Sequence, residues 1–300
     1  MPKTSYVQRI ITVSILILII GGAYFLLNKF LAGQAFEKGK LEYRRGIGFT
    51  AEYFGNFGRH DINTVQDYFK SSIKKFEKYV KANRNDPEGY FMLANSHYML
   101  YKTGIMFMEK TGGNKKALST DDLYKAIEFF NKAISCNKKY AEAHYCLAMC
   151  YADDDFMKSY EELSRAKEYL SDISDSKKRA IWEEIIRKAM EGCPEMKCSA
   201  NADGSKVKFV NISDGCHPYI AILTPGTSVP ELKDMDCLFN KDDMFIRDLM
   251  PGKTYLICIG LETYIITGII TAKAGTLYTF NIRPLKNNFA IYDPKTMDVK

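Results

Sequence analysis

Read by its hydrophobic and polar positions alone, the chain changes period three times. From Ile10 to Leu27 the run IITVSILILIIGGAYFLL contains no charged residue. As a helix it would rise roughly 27 Å, close to a hydrocarbon core of about 30 Å. Arg9 and Lys29 bracket the run and Tyr24 lies near one end, so the pattern predicts a transmembrane anchor over residues 10–28 behind a short tail, 1–9. A cleaved signal peptide is the alternative, because Gly33-Gln34-Ala35 offers a small-residue cleavage site. Signal peptides, however, usually carry an apolar segment of only about 7–15 residues. Lys29, Lys38, Lys40, Arg44 and Arg45 follow the run, against Lys3 and Arg9 before it. That count favours a cytoplasmic downstream side, whereas short N-terminal anchors commonly export a long following part.

Gly46, Gly48, Gly55 and Gly58 among aromatic residues predict a juxtamembrane linker over 29–59. Helical period begins near Asn63 and places Tyr68, Ile73, Phe76, Tyr79 and Val80 on one side. Asn85-Asp86-Pro87 then signals a turn with proline opening the next helix. From there a pattern recurs. Tyr90, Leu93 and Ala94 in one helix match His144, Leu147 and Ala148 in another, with Tyr151 three residues on. Ala126, Phe130 and Ala133 lie at helical spacing between them.

These positions resemble the tetratricopeptide repeat, a helix–turn–helix unit in which small residues let paired helices approach and large ones fill the space beside them. The resemblance covers about residues 60–192, with SKKRAIWEEIIRKAMEG as a capping helix in which Ile181, Trp182, Ile185 and Ala189 are available to close the stack. It departs from the family in an insertion, KTGIMFMEKTGGNKKALSTD, in His97 at an aromatic slot and in Lys138 at the usual proline. Within the insertion Ile105, Met106, Phe107 and Met108 are consecutive apolar residues, either buried or a contact site. The resemblance implies a partner groove lined by the first helix of each repeat. By register that groove comprises Glu88, Phe91, Asn95, Tyr98 and Met99, then Glu142, Tyr145, Met149 and Asp153. Such a mixture suits an extended peptide or a partner helix; the other reading is that these residues contact a neighbouring helix or domain.

After a linker over 193–204 the pattern turns to short β-branched and aromatic runs separated by TPGT, MPGK and KAGT, which predicts an antiparallel β-sandwich over 205–285 and a tail, 286–300. Leu249–Tyr255 and Ala274–Thr279 each read as a tight turn into a strand carrying a tyrosine. This region resembles the immunoglobulin-like sandwiches of bacterial envelope proteins, which implies a non-catalytic domain and an extracytoplasmic position.

Composition adds little to that picture. At 46% hydrophobic and 26% charged residues with a net charge of +6, the chain is of globular type, and no basic stripe interleaved with aromatics marks a nucleic-acid binder. His144, Cys146, Cys150 and Asp153–Asp155 form a cluster of ligand-type residues, but a zinc site needs four ligands and no second Cys pair lies at finger spacing. The two cysteines are one helical turn apart, where a buried thiol serves as a small apolar side chain. Cys193 and Cys198 suit either a loop disulfide or free thiols, and Cys216-His217 is solitary. Gly46-Ile47-Gly48 follows no strand, and no nucleophile, phosphate-loop or zinc-protease motif occurs.

The expectation is thus a multidomain α plus β chain: a transmembrane helix, a tetratricopeptide-like array and an antiparallel sandwich. It would be no enzyme, would hold no cofactor or metal and would bind no nucleic acid. Its function would be that of a membrane-anchored scaffold binding a protein or peptide partner in an envelope-associated complex, and homo- or hetero-oligomers are compatible with it. The alternative is a structural subunit of a secretion or envelope assembly without free-peptide binding; an enzyme or metal protein is a third.

Overall fold

A computed structural model describes residues 6–55, 61–112, 119–152, 154–191, 195–202, 204–212, 218–228, 230–231, 235–238, 242–261 and 264–282. The chain divides into two compact units, 1–136 and 137–300.

The first unit is built from four helices: α1 (Tyr6–Gly55), α2 (Ile62–Ala82), α3 (Pro87–Thr111) and α4 (Asp121–Cys136). Along α1 the buried positions Ala32, Phe36, Gly39, Tyr43, Gly46 and Thr50, with Ala35 beside them, follow steps of four and three, the spacing of two helices packed along a seam. The matching row on α2 is Ile62, Val65, Phe69, Ile73, Phe76 and Val80. Glycine is what the seam requires at two points. A Cβ on Gly39 would meet the Phe76 ring at 2.8 Å, and one on Gly46 would meet the Phe69 ring at 2.7 Å. Around these contacts Phe36 packs on Tyr79 and Phe49 stacks on Tyr68, with ring centroids 4.4 and 5.0 Å apart.

Asp86 caps α3 by accepting from the Glu88 amide, and the Tyr79 hydroxyl donates to the same carboxylate at 2.5 Å. The end of α2 is thereby tied to the start of α3. Ser72 donates to Ser96 across the same pair, and His97 Nδ1 lies 2.8 Å from Asp122 across α3 and α4. Much of the stretch read as an insertion is helical: Ile105–Met108 are half-buried in the last turns of α3. Lys110 closes this end with its ammonium 4.3 Å above the Tyr53 ring.

In the second unit, α5 (Ala141–Tyr151) and α6 (Phe156–Glu168) form a hairpin. A 3-10 turn, Tyr169–Asp172, leads to α7 (Ser176–Glu191). Eight strands follow: β1 (Glu195–Ala200), β2 (Ser205–Asn211), β3 (Tyr219–Leu223), β4 (Asp236–Cys237), β5 (Met244–Leu249), β6 (Thr254–Leu261), β7 (Tyr264–Thr271) and β8 (Thr276–Ile282). They make two four-stranded sheets, ordered β1-β8-β2-β5 and β4-β3-β6-β7. One core takes Val207, Phe209, Tyr278 and Phe280 from the first sheet and Ile220, Ile257, Ile259 and Ile270 from the second. Both turn tyrosines close their turns. The Tyr255 hydroxyl accepts from the Met250 amide at 2.8 Å, and the Tyr278 hydroxyl accepts from the Lys273 amide at 2.9 Å.

Helix α6 is part of that core. Phe156 and Met157, its first two residues, are buried in the same cluster, and the Phe156 ring stands edge-on to Phe280 at 6.0 Å. Gly268 on β7 makes room for them, since a Cβ there would meet Met157 Cγ at 2.6 Å. The helices and sheets on either side of 193–204 therefore share one core, whereas the sequence suggests a linker between two domains.

Three expectations are corrected. Among the described residues no helix is long and apolar enough to cross a membrane. The stretch expected as an anchor, 10–28, is instead the start of a helix that runs without a break to Gly55 and becomes amphipathic where it meets α2. The transmembrane helix, and with it the single-pass membrane localisation, is not what the structure shows. Residues 29–55, expected as a linker, are helical because their glycines sit in a helix seam rather than in turns. The sheets are also not wholly antiparallel. β8 inserts between β1 and β2, pairing antiparallel with the first and parallel with the second.

Candidate partner-binding cleft

The residues expected to line a groove lie mostly inside. Phe91, Asn95, Tyr98 and Met99 are buried, as are Glu142, Tyr145 and Met149. Glu88 is exposed and pairs with Lys40 at 3.6 Å; Asp153 lies outside the described residues. Two of the buried set hold α7 in place. Glu142 pairs with Lys178 at 2.9 Å, and the Tyr145 ring meets Trp182 edge-on at 5.3 Å. In the first unit Phe91 packs on Phe130, and Asn95 donates to the Phe91 carbonyl of its own helix at 2.8 Å.

The stretch around His144 is interior as well. Every residue from Ala141 to Cys150 is buried. The two nitrogens of His144 face acceptors on opposite sides, Glu162 at 2.6 Å and the Lys138 carbonyl at 3.0 Å. Arg165 bonds the second oxygen of Glu162. This network ties α5 to α6 and uses the polar groups that would otherwise be orphaned by burial. Burial pushes the Cys146 thiol well above its ordinary range, and nearby Cys150 and Glu142 add to that. Cys146, Cys150 and Cys258 are buried free thiols, and Cys136 and Cys198 are exposed free thiols. Cys193 and the Cys216-His217 pair lie outside the described residues.

A concavity lies on a surface that periodicity did not single out. A cleft of 820 Å³ opens between α6, the 3-10 turn and α7. Its floor is apolar, with Leu170 and Ile186 buried and Tyr160 and Met190 half-buried. Lys167, Arg179 and Glu183 stand exposed at the rim. Arg187 is held there by Glu184 and Glu191. The α7 sequence contains the signal: apolar residues come in adjacent pairs at 181–182, 185–186 and 189–190. A single buried stripe needs one of each pair. Trp182, Ile186 and Ala189 fill it, leaving Ile185 and Met190 partly uncovered.

The molecule is thus of the class that joins α-helical hairpins to two small β-sheets. Residues 45–182, a little under half of the chain, are similar to the HIR3 helical bundle domain. Among solved structures, similarity extends to one described as the crystal structure of MamA protein, at 15% identity and a TM-score of 0.25, covering 54% of this chain and 88% of that one. No curated protein matches the chain.

Proposed function

We propose that the protein is an interaction scaffold whose α6–α7 cleft receives a short segment of a protein partner. The observation that supports this reading is the cleft itself, an apolar floor of Leu170, Ile186 and Met190 rimmed by separate charges. Apolar anchors seated in such a floor provide most of the affinity of peptide-in-groove complexes, while rim charges set orientation and encounter rate. The cleft is lined by helices on two sides, so a partner helix or an extended segment with apolar residues at regular spacing fits its shape.

The test is selection of a random peptide library on the full chain, followed by titration of the recovered peptide. Ser171 is exposed at the cleft, so Ser171→Trp fills the concavity without disturbing the core. The expected outcome is a recovered peptide with apolar anchors whose affinity falls about tenfold or more in the Ser171→Trp variant. A peptide that binds both chains equally, or recovery of none, contradicts the proposal and returns the cleft to a fixed-subunit role.

A further inference from the structure

We infer that the first unit carries a second, separate docking site, a basic trough across the C-terminal turns of α2 that takes an acidic protein segment. Two hollows meet at Lys81. One, of 400 Å³, lies between α1 and α2 and is lined by Lys29, Lys78, Lys81 and the small residues Ala32 and Ala82. The other, of 270 Å³, lies among α2, α3 and α4, with Arg84 and Lys132 at its edge and Leu93, Tyr90 and Phe129 below. The two hollows share Lys81, so a segment laid across the end of α2 reaches both.

Charge distinguishes this surface from the rest of α2. Lys70 pairs with Asp67, and Lys75 pairs with Glu42. Lys74, Lys78, Lys81 and Arg84 make no ion pair among the described residues. Lys74 and Lys78 are one turn apart, and like charges at that spacing repel. Cations near a helix C-terminus do gain from the helix dipole, but only by about 0.3–1 kcal/mol each at an exposed surface. An acidic ligand in the two hollows would meet Lys78, Lys81 and Arg84 together, and the apolar floor of the smaller hollow is sized for one side chain.

A protein segment fits better than a nucleic acid. Glu77 borders the hollow and would repel a phosphate chain, while a peptide can place a neutral residue beside it.

The experiment titrates the full chain with three labelled probes: a short peptide of Glu and Asp with one central Leu, its Lys counterpart, and oligothymidylate. The acidic peptide is expected to bind saturably, more weakly as salt rises, and the Lys peptide is expected not to bind. The Lys81→Glu/Arg84→Glu variant is expected to lose about tenfold or more in affinity at an unchanged melting temperature, and Lys78→Ala/Lys81→Ala to lose less. Ser171→Trp is expected to leave this binding intact, which keeps the trough independent of the α6–α7 cleft. Absence of saturable binding, equal affinity in both trough variants, or tighter binding of oligothymidylate overturns the inference.

Discussion

At the scale of single residues, two glycines in one helix carry opposite expectations. Gly48 on α1 has nothing within 4 Å of where a Cβ would stand, whereas at Gly46 the Phe69 ring is 2.7 Å away. Alanine favours a helix interior over glycine by about 1 kcal/mol, so Gly48→Ala is expected to stabilise the chain by roughly that amount. Gly46→Ala instead overpacks the seam, which typically costs about 1–3 kcal/mol and outweighs the gain. Urea midpoints of the two variants check both signs, and a stabilised Gly46→Ala would contradict the seam. Cys146 gives a pH dependence. Burial raises its thiol in the folded chain, so the unfolded chain ionises first. The resulting contribution to stability is full below the unfolded thiol value of about 8.5 and is lost as pH rises above it. Cys146→Ala is expected to lose less stability than the parent between about pH 7.5 and pH 9.5, read by urea titration. The histidines show how far residue type informs in the sequence. His97 departs from the repeat pattern and His144 resembles a ligand, yet each pairs with a carboxylate on the following helix. A hydrophobic pattern does not encode such cross-helix partners.

At the scale of elements, period was enough to find helices and strands but not to say what covers them. The stripes on α2 and on α4 read directly, and each residue of the triplet Ala126, Phe130 and Ala133 is buried. Residues 29–55 did not read as a helix, because glycines punctuate turns in most sequences and only their seven-residue spacing, 39 to 46, marks a seam. Nor did the sequence show that α6 belongs to the sheets. Phe156 and Met157 look like the start of one more amphipathic helix, and Gly268 looks like any glycine in a strand; their contact appears only when the chain has folded. The element-scale prediction follows from it. Phe156→Ala is expected to destabilise the second unit by about 3–5 kcal/mol, the usual range for a buried phenylalanine. The near-ultraviolet signal of Trp182 on α7 and the hydrogen exchange of β8 amides are expected to report the loss together. Loss of protection in β8 with α7 untouched would mean that helices and sheets are separate cooperative units.

At the scale of the molecule, a sequence-based groove built from first-helix residues gave way to packing. Phe91, Tyr98, Tyr145 and Met149 are large and apolar, and burying such side chains stabilises a fold by about 1.5–3 kcal/mol each. In this chain they fill the interior, so a partner must use concavities on the outer faces of the helices. The α6–α7 cleft is such a place, and binding there is the central claim. It is tested most directly by mapping the amide shifts of the isotope-labelled full chain as the selected peptide is added. The account predicts perturbations concentrated in Tyr160–Ser171 and Arg179–Glu191 that saturate at one peptide per chain. Saturable perturbations confined to the β-strands, or to α2 and α3, would contradict it.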